Sequence, residues 1–274
     1  MTKKSKQLSS GELQAYMEAG KTIKDNAHLY RLVALTFLES DDEIPENVVR
    51  PLRDMQQHLP LCQMTHYART VGKTVVSTLE DHFCMPAASV FGLTDKFPVG
   101  IDIRHFRDQE ARQVLEGIVK ERDTYLKDIK GLVFSPLEDL RMRPDLIVVY
   151  GNPGQISMLC KCFTWQGIPV SGQFLGSIGC SSMVWSLIHQ KPVMNVMAGG
   201  ERAFAYTGDH EISLVFPADY LFEVAKAIKI TQETGANLYP IQCGRLYGEP
   251  PLPSDYRITY REIEQSNNTG GNYE

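Results

Sequence analysis

Apolar runs alternate with amphipathic stretches along this chain. The sharpest run is Pro144-Asp145-Leu146-Ile147-Val148-Val149-Tyr150-Gly151. An unbroken β-branched and aliphatic run of this length predicts a strand buried on both faces. Asn152-Pro153-Gly154-Gln155 then turns the chain into a helix reaching Trp165. Further strands are predicted over Tyr30–Leu38, Thr74–Ser77, Lys191–Met197 and Ile212–Pro217, with an extended stretch from Ile168. Amphipathic helices are predicted after Ser9 or Ser10, over 47–59 with an interruption at Pro51, over 108–130 up to Gly131, and over Tyr220–Thr231. Gly199-Gly200 reads as a chain break.

Strand and helix alternate from Asp145 to Thr231, while the first 135 residues are richer in helix. The pattern predicts an α/β fold, a mixed sheet flanked by helices with a helix-rich N-terminal layer. Residues 1–8 read as a disordered lead, 9–265 as a single α/β domain with a sub-boundary near 131–143, and 266–274 as a disordered tail. No internal repeat stands out.

Composition narrows the class. The chain has 274 residues, a net charge of −5 and 43% hydrophobic residues. An acidic balance argues against nucleic-acid binding, whose footprint is a basic face. No apolar run is long enough to span a membrane, and no apolar segment follows the basic start as in a secretory signal. A cytoplasmic setting is expected, and there the six cysteines are thiols rather than a disulfide framework.

Three of those cysteines stand where turns give way to helices. Cys180 lies in Gly176-Ser177-Ile178-Gly179-Cys180-Ser181-Ser182-Met183, Cys62 follows Pro60, and Cys84 precedes Pro86. Proline suits the first turn of a helix, where an N–H has no intrahelical partner. A thiol at such an end faces free N–H groups and the positive end of the helix dipole, so a depressed pKa is expected at Cys180.

Three segments, in order, resemble an uncharacterised prokaryotic family, domain of unknown function 169. The first runs from Cys62-Gln63 through Ala68-Arg69 and Gly72 to Glu80-Asp81-His82-Phe83-Cys84 and Phe91-Gly92-Leu93. The second is Asp145–Gln155. The third runs from Cys180 through Gly199-Gly200-Glu201-Arg202 to Glu211-Ile212 and Phe216-Pro217. The resemblance implies a cysteine-bearing cytoplasmic protein, common in anaerobes, with Cys62, Cys84 and Cys180 at the family's cysteine positions. Cys160, Cys162 and Cys243 fall outside them.

The leading functional expectation is a [4Fe-4S] cluster on Cys62, Cys84 and Cys180, serving redox chemistry or substrate binding at an open iron. The fourth ligand stays open among Cys160, Cys162, Cys243, a histidine and none. The same thiols with His66 or His82 would suit zinc, but no Cys/His spacing typical of zinc is present. Two metal-free alternatives stand beside it: a thiol enzyme using Cys180, and an oligomeric ligand-binding protein whose cysteines only pack. The expected partners are a small-molecule substrate or a redox partner, with self-association into a homo-oligomer, and neither nucleic acid nor membrane. Cys160-Lys161-Cys162 sits in a predicted helix, where residues two apart point to different sides. Gly151–Gln155 lacks the signature of a phosphate loop. Asp209-His210-Glu211 reads as a solvated loop.

Overall fold

The computed structural model describes residues 6–96, 107, 109–126, 129–173, 178–235, 237, 262 and 265. In chain order, the elements are α1 (Ser10–Asn26), β1 (Val33–Leu38), α2 (Pro51–Met55), α3 (Leu61–Thr70), β2 (Val75–Thr78), α4 (Met85–Val90), α5 (Gln109–Tyr125), β3 (Gly131–Pro136), β4 (Leu146–Gly151), α6 (Pro153–Trp165), β5 (Ser171–Gly172), α7 (Ser181–His189), β6 (Val193–Val196), α8 (Gly199–Ala205), β7 (Ile212–Pro217) and α9 (Leu221–Glu233). Seven strands form one mixed sheet in the order β2-β3-β1-β4-β7-β6-β5, with only the β5–β6 pair parallel.

The unbroken run 146–151 is central, as its pattern requires. β4 pairs with β1 on one side and β7 on the other, and all six of its residues are buried. Alternate side chains enter opposite layers. Leu146, Val148 and Tyr150 join Val33, Leu35 and Phe37 under α3, α4 and α7. Ile147 and Val149 join Ala34 under α1, α6 and α9. The molecule is therefore a three-layer α/β/α sandwich with a core on each face of the sheet. Asn152 caps α6: its side chain accepts from the Gln155 N–H at 3.0 Å, while Gln155 accepts the Asn152 N–H at 2.9 Å. Of the polar lead, Lys6 is tied to Asp145, whose carboxylate also accepts the Phe37 N–H at 2.8 Å.

The structure corrects three expectations. The helix predicted over 108–130 ends at Tyr125, and Gly131 opens β3, an interior strand between β1 and β2. Gly199-Gly200 opens α8 instead of breaking the chain. A repeat is also present. Val33↔Val148, Ala34↔Ile147 and Leu35↔Leu146 pair antiparallel, a register that maps onto itself under a two-fold rotation about the Ala34–Ile147 pair. The same rotation carries β3 onto β7 and β2 onto β6, matching Val33↔Pro136 with Leu146↔Pro217 and Val75↔Phe134 with Val193↔Val215.

The two halves are thus β1-α3-β2-β3 and β4-α7-β6-β7. Residues 11 apart repeat between them: Cys62 and Lys73 answer Cys180 and Lys191. Gly72 and Gln190, the residues just before those lysines, both take a left-handed backbone. The sequence identity is too thin to announce the repeat. What is kept is the pattern of turn, helix and strand. Among the described residues, no helix is long and apolar enough to cross a membrane.

Candidate functional site

The two-fold relation makes Cys62 and Cys180 counterparts, each at the start of a helix on the same face of the sheet. Pro60 caps α3, so Cys62 falls in its first turn. Cys180 is the N-cap of α7 and Cys84 the N-cap of α4, as the Pro86 signal predicts. Two backbone bonds bind the entry of α4 to that of α3. The Leu59 N–H donates to the Asp81 carbonyl at 3.1 Å, and the Phe83 N–H to the Leu59 carbonyl at 3.1 Å. Cys62 and Cys84 are thereby brought together although 21 residues separate them.

The second half closes over them. α8 packs on α3, and the Cys62 thiol reaches the Gly200 carbonyl at 3.6 Å. The next residue, Glu201, turns its carboxylate toward the Cys180 turn. A Cβ on Gly179 would lie 2.2 Å from Glu201 Oε2 and 2.8 Å from Asn195 Nδ2. Only glycine leaves room there. Glu201 is 4% exposed, and among the described residues its carboxylate accepts one hydrogen bond, from the Ala198 N–H at 2.8 Å. Asn195, on β6, is 1% exposed, and among the described residues neither amide atom has a partner. Its counterpart on β2, Ser77, is also buried with an unpartnered hydroxyl.

These surroundings overturn the expectation of an activated thiol. Burial pushes the Cys180 pKa well above the ordinary thiol value, and the charges of Glu201, Cys84 and Cys62 push it further. Cys62 is raised to about 12 by burial and then by Glu201 and Cys84, and burial raises Cys84 as well. Desolvation of the thiolate outweighs the helix end. The helix end is also less free than the sequence implies. Ser181, Ser182 and Met183 donate their N–H groups to the carbonyls of Ile178, Gly179 and Cys180 at 3.0–3.1 Å, so the first-turn donors are already engaged. Glu201 is likewise raised by burial, to about 7.

Around this cluster lies a polar rim, in which Arg69 and Tyr150 are the residues the sequence reading did not single out as functional. Arg69 forms an ion pair with Glu211 and places its guanidinium 5.0 Å from the centre of the Tyr150 ring. Tyr150 is buried, and its pKa is raised by that burial. His66 lies on the same face of α3 as Cys62 and Arg69, one and two turns along. Among the described residues, His66 Nδ1, Arg69 Nε and Thr207 Oγ1 are buried without a partner. The Cys62/Cys180 correspondence was the available signal: laid over each other, the two halves bring Ser77 and Asn195 into register.

Of the other candidates, two lie on the far side of the sheet. Cys160 and Cys162 belong to the core on the opposite face of the sheet, Cys162 fully buried and Cys160 partly so. Cys243 lies outside the described residues. His82 is buried, its Nδ1 3.2 Å from the Leu59 carbonyl, and burial lowers its pKa to about 4. Asp209 pairs with Arg202 and Glu211 with Arg69, so the acidic loop does not converge on one point. The Gly151–Gln155 turn is used for capping α6. Among the described residues, no three His, Cys, Asp or Glu side chains stand close enough to hold a single metal ion.

Fold and site together define a duplicated α/β protein with a buried cysteine cluster between its halves. The chain belongs to the family described as Uncharacterised ArCR, COG2043 (domain of unknown function 169), whose profile matches residues 24–227 and so spans both halves. It is also similar to an uncharacterized protein of Methanocaldococcus jannaschii, 26% identical over 208 residues that cover 72% of this chain and 86% of the relative. No solved structure matches it.

Proposed function

We propose that this protein binds a [4Fe-4S] cluster through Cys62, Cys84 and Cys180. The observation that supports the reading is that Cys62, against Gly200, and Cys180, beside the Gly179 turn that meets Glu201 and Asn195, start two helices on one face of the sheet, with the Cys84 turn bonded to the entry of the first. A single ion draws its ligands together around one centre. A cubane takes each thiolate on a different iron, so its thiolates need not meet at one point as they must for zinc. Buried, neutral thiols release protons on binding a cationic core, and the core supplies the charge that thiolates there otherwise lack. The Asn195 amide, directed at the Gly179 turn, is a donor without an acceptor among the described residues, available to sulfur at the site. With three cysteine ligands, one iron is left for a group other than cysteine. That iron suits substrate binding, and the cluster itself suits electron exchange with a redox partner. A cytoplasmic, reducing compartment fits such a site, and self-association would be compatible with it.

The metal-free thiol enzyme is the weaker reading, because it needs a thiolate near neutral pH and all three thiols are raised. The test is iron and acid-labile sulfide analysis of the full chain, purified and reconstituted anaerobically. About four irons per chain are expected. Cys62→Ser, Cys84→Ser and Cys180→Ser should each lose most of them. Reconstituted wild type without iron or sulfide, or full content in all three variants, refutes the proposal.

A further inference from the structure

The two-fold relation between the halves supplies an internal comparison for the polar rim at Arg69. The alignment that lays Cys62 over Cys180 lays His66 over Val184 and Arg69 over Leu187. The rotation that lays Ala34 over Ile147 lays Phe37 over Tyr150. Val184, Leu187 and Phe37 are buried side chains of the core on this face of the sheet. Hydrocarbon therefore satisfies the fold at that place. The equivalent place holds an imidazole, a guanidinium and a phenol instead.

These polar groups are incompletely paired. Arg69 is 9% exposed and gives its two terminal nitrogens to the two oxygens of Glu211. A guanidinium donates along two edges, and Glu211 takes only one of them. The other edge carries Nε, which has no partner among the described residues. The Gly208 N–H donates to the same Glu211 Oε2 at 2.9 Å, which sets Thr207 beside the ion pair. Thr207 is 6% exposed and its hydroxyl has no partner among the described residues. Next to it the Tyr206 ring faces His66, with 6.2 Å between ring centres, and His66 Nδ1 is the third buried atom in this state. A buried polar atom left unpaired costs free energy, and the equivalent place shows that the fold can be built without that cost. Tyr206 adds a backbone strain of its own. It is the C-cap of α8, with a left-handed φ of 52° that is rare for a bulky residue, and its ring is 78% exposed.

The charges decide what could fill this place. Arg69 is already balanced by Glu211. Burial, and then Arg69, hold the His66 pKa below its usual value, so the imidazole is uncharged at neutral pH. An anion would enter as an unbalanced charge beside Glu211, and a cation would face Arg69. Hydrogen bonding is what remains on offer. Arg69 Nε–H can only donate, the Thr207 hydroxyl donates or accepts, and His66 Nδ1 does either according to its tautomer.

We propose that His66, Arg69 and Thr207 form a binding site for an uncharged, planar small molecule that carries a carbonyl oxygen beside an N–H, as an amide or lactam does. The carbonyl oxygen accepts from Arg69 Nε–H, the ligand N–H donates to Thr207 Oγ1, and the Tyr206 ring covers the plane. The site draws on none of the three cysteines and stands whether or not they hold a cluster.

The test uses the full chain without added iron or sulfide. The probes are uracil and α-pyridone, which carry the lactam, and benzoate, which is planar and anionic. The Arg69 Nε–H resonance, identified by its loss in Arg69→Lys, is followed by nitrogen–proton NMR. A lactam should shift it saturably, and benzoate at the same concentration should not. Thr207→Val keeps the shape of the side chain and removes an unpaired hydroxyl, so it should melt at or above the wild-type temperature. It should nevertheless bind the lactam about fivefold less tightly, the order for one neutral hydrogen bond. The wild-type titration needs no variant to fold beyond the one that assigns the signal, and any loss of signal on adding Arg69→Lys is checked against its melting curve. No saturable shift with either lactam overturns the proposal, as does equal affinity in wild type and Thr207→Val. Saturable binding of benzoate in place of the lactams overturns the uncharged class.

Discussion

Gly179→Ala tests the packing on which the site depends. Gly179 has an ordinary backbone conformation, so alanine brings no torsional strain, and the loss of chain freedom in the unfolded state favours the variant by about 0.4–1 kcal/mol. The added methyl would stand 2.2 Å from Glu201 Oε2 and 2.8 Å from Asn195 Nδ2. The carboxylate must retreat by more than about 1 Å to reach ordinary van der Waals contact. It is 4% exposed, so it cannot swing into water, and retreat pulls it from the Ala198 N–H. Overpacking costs about 1–3 kcal/mol and the lost bond to a buried charged group about 1.5–3 kcal/mol. The net loss is about 3 kcal/mol, which lowers the melting temperature by roughly 6–12 °C for a chain of this size. Calorimetry on metal-free protein measures it. Gly117→Ala is the control: an added Cβ there meets nothing within 4 Å in the middle of α5, and alanine should stabilise by up to about 1 kcal/mol. The clash is with the Glu201 side chain, so most of the loss should vanish in a Glu201→Ala background. A Gly179→Ala protein melting within about 1 °C of wild type would refute this packing.

Two more outcomes follow from the same structure. Burial raises Glu201 to about 7, so the folded state binds its proton more tightly than the unfolded state does, and its contribution is fully present below about pH 4.5 and lost as pH rises toward 7. His82, lowered to about 4, has the opposite sign: its contribution is present above about pH 6.5 and lost as pH falls toward 4. Each is about 3 kcal/mol, so they nearly cancel between pH 4.5 and 6.5. In urea titrations of metal-free protein, Glu201→Gln should gain stability with rising pH across that window and His82→Gln should lose it; parallel profiles in both variants would contradict the signs. Asn152→Ala removes the side-chain half of the α6 capping box and should cost about 1 kcal/mol in denaturant unfolding, with no loss of iron after reconstitution.

Much of this protein is legible in its sequence, because its strongest signals are local. The run at Leu146–Tyr150 needs two buried faces, and only a central strand supplies them. Pro60, Pro86 and the Gly-Cys-Ser-Ser turn mark helix starts by their own backbone preferences, and all three helices begin there. β3 escaped notice because Gly131 after a charged helix reads as a terminator, and only its pairing with β1 and β2 makes Gly131–Pro136 a strand. The thiols carry the same lesson. Position at a helix start, a property of neighbours in the chain, favours the thiolate. Burial in the core, beside Glu201, disfavours it more strongly. Sequence by itself determined where the chain turns, which segments are buried and where the cysteines stand on their helices. Tertiary structure alone decided the two-fold pairing of the halves, the placing of Cys62, Cys84 and Cys180 on one face of the sheet, and the direction in which their surroundings push their pKa values. Desolvation and Coulomb interactions depend on which atoms surround a group in space, and those atoms come from several segments, from about twenty to more than a hundred residues away.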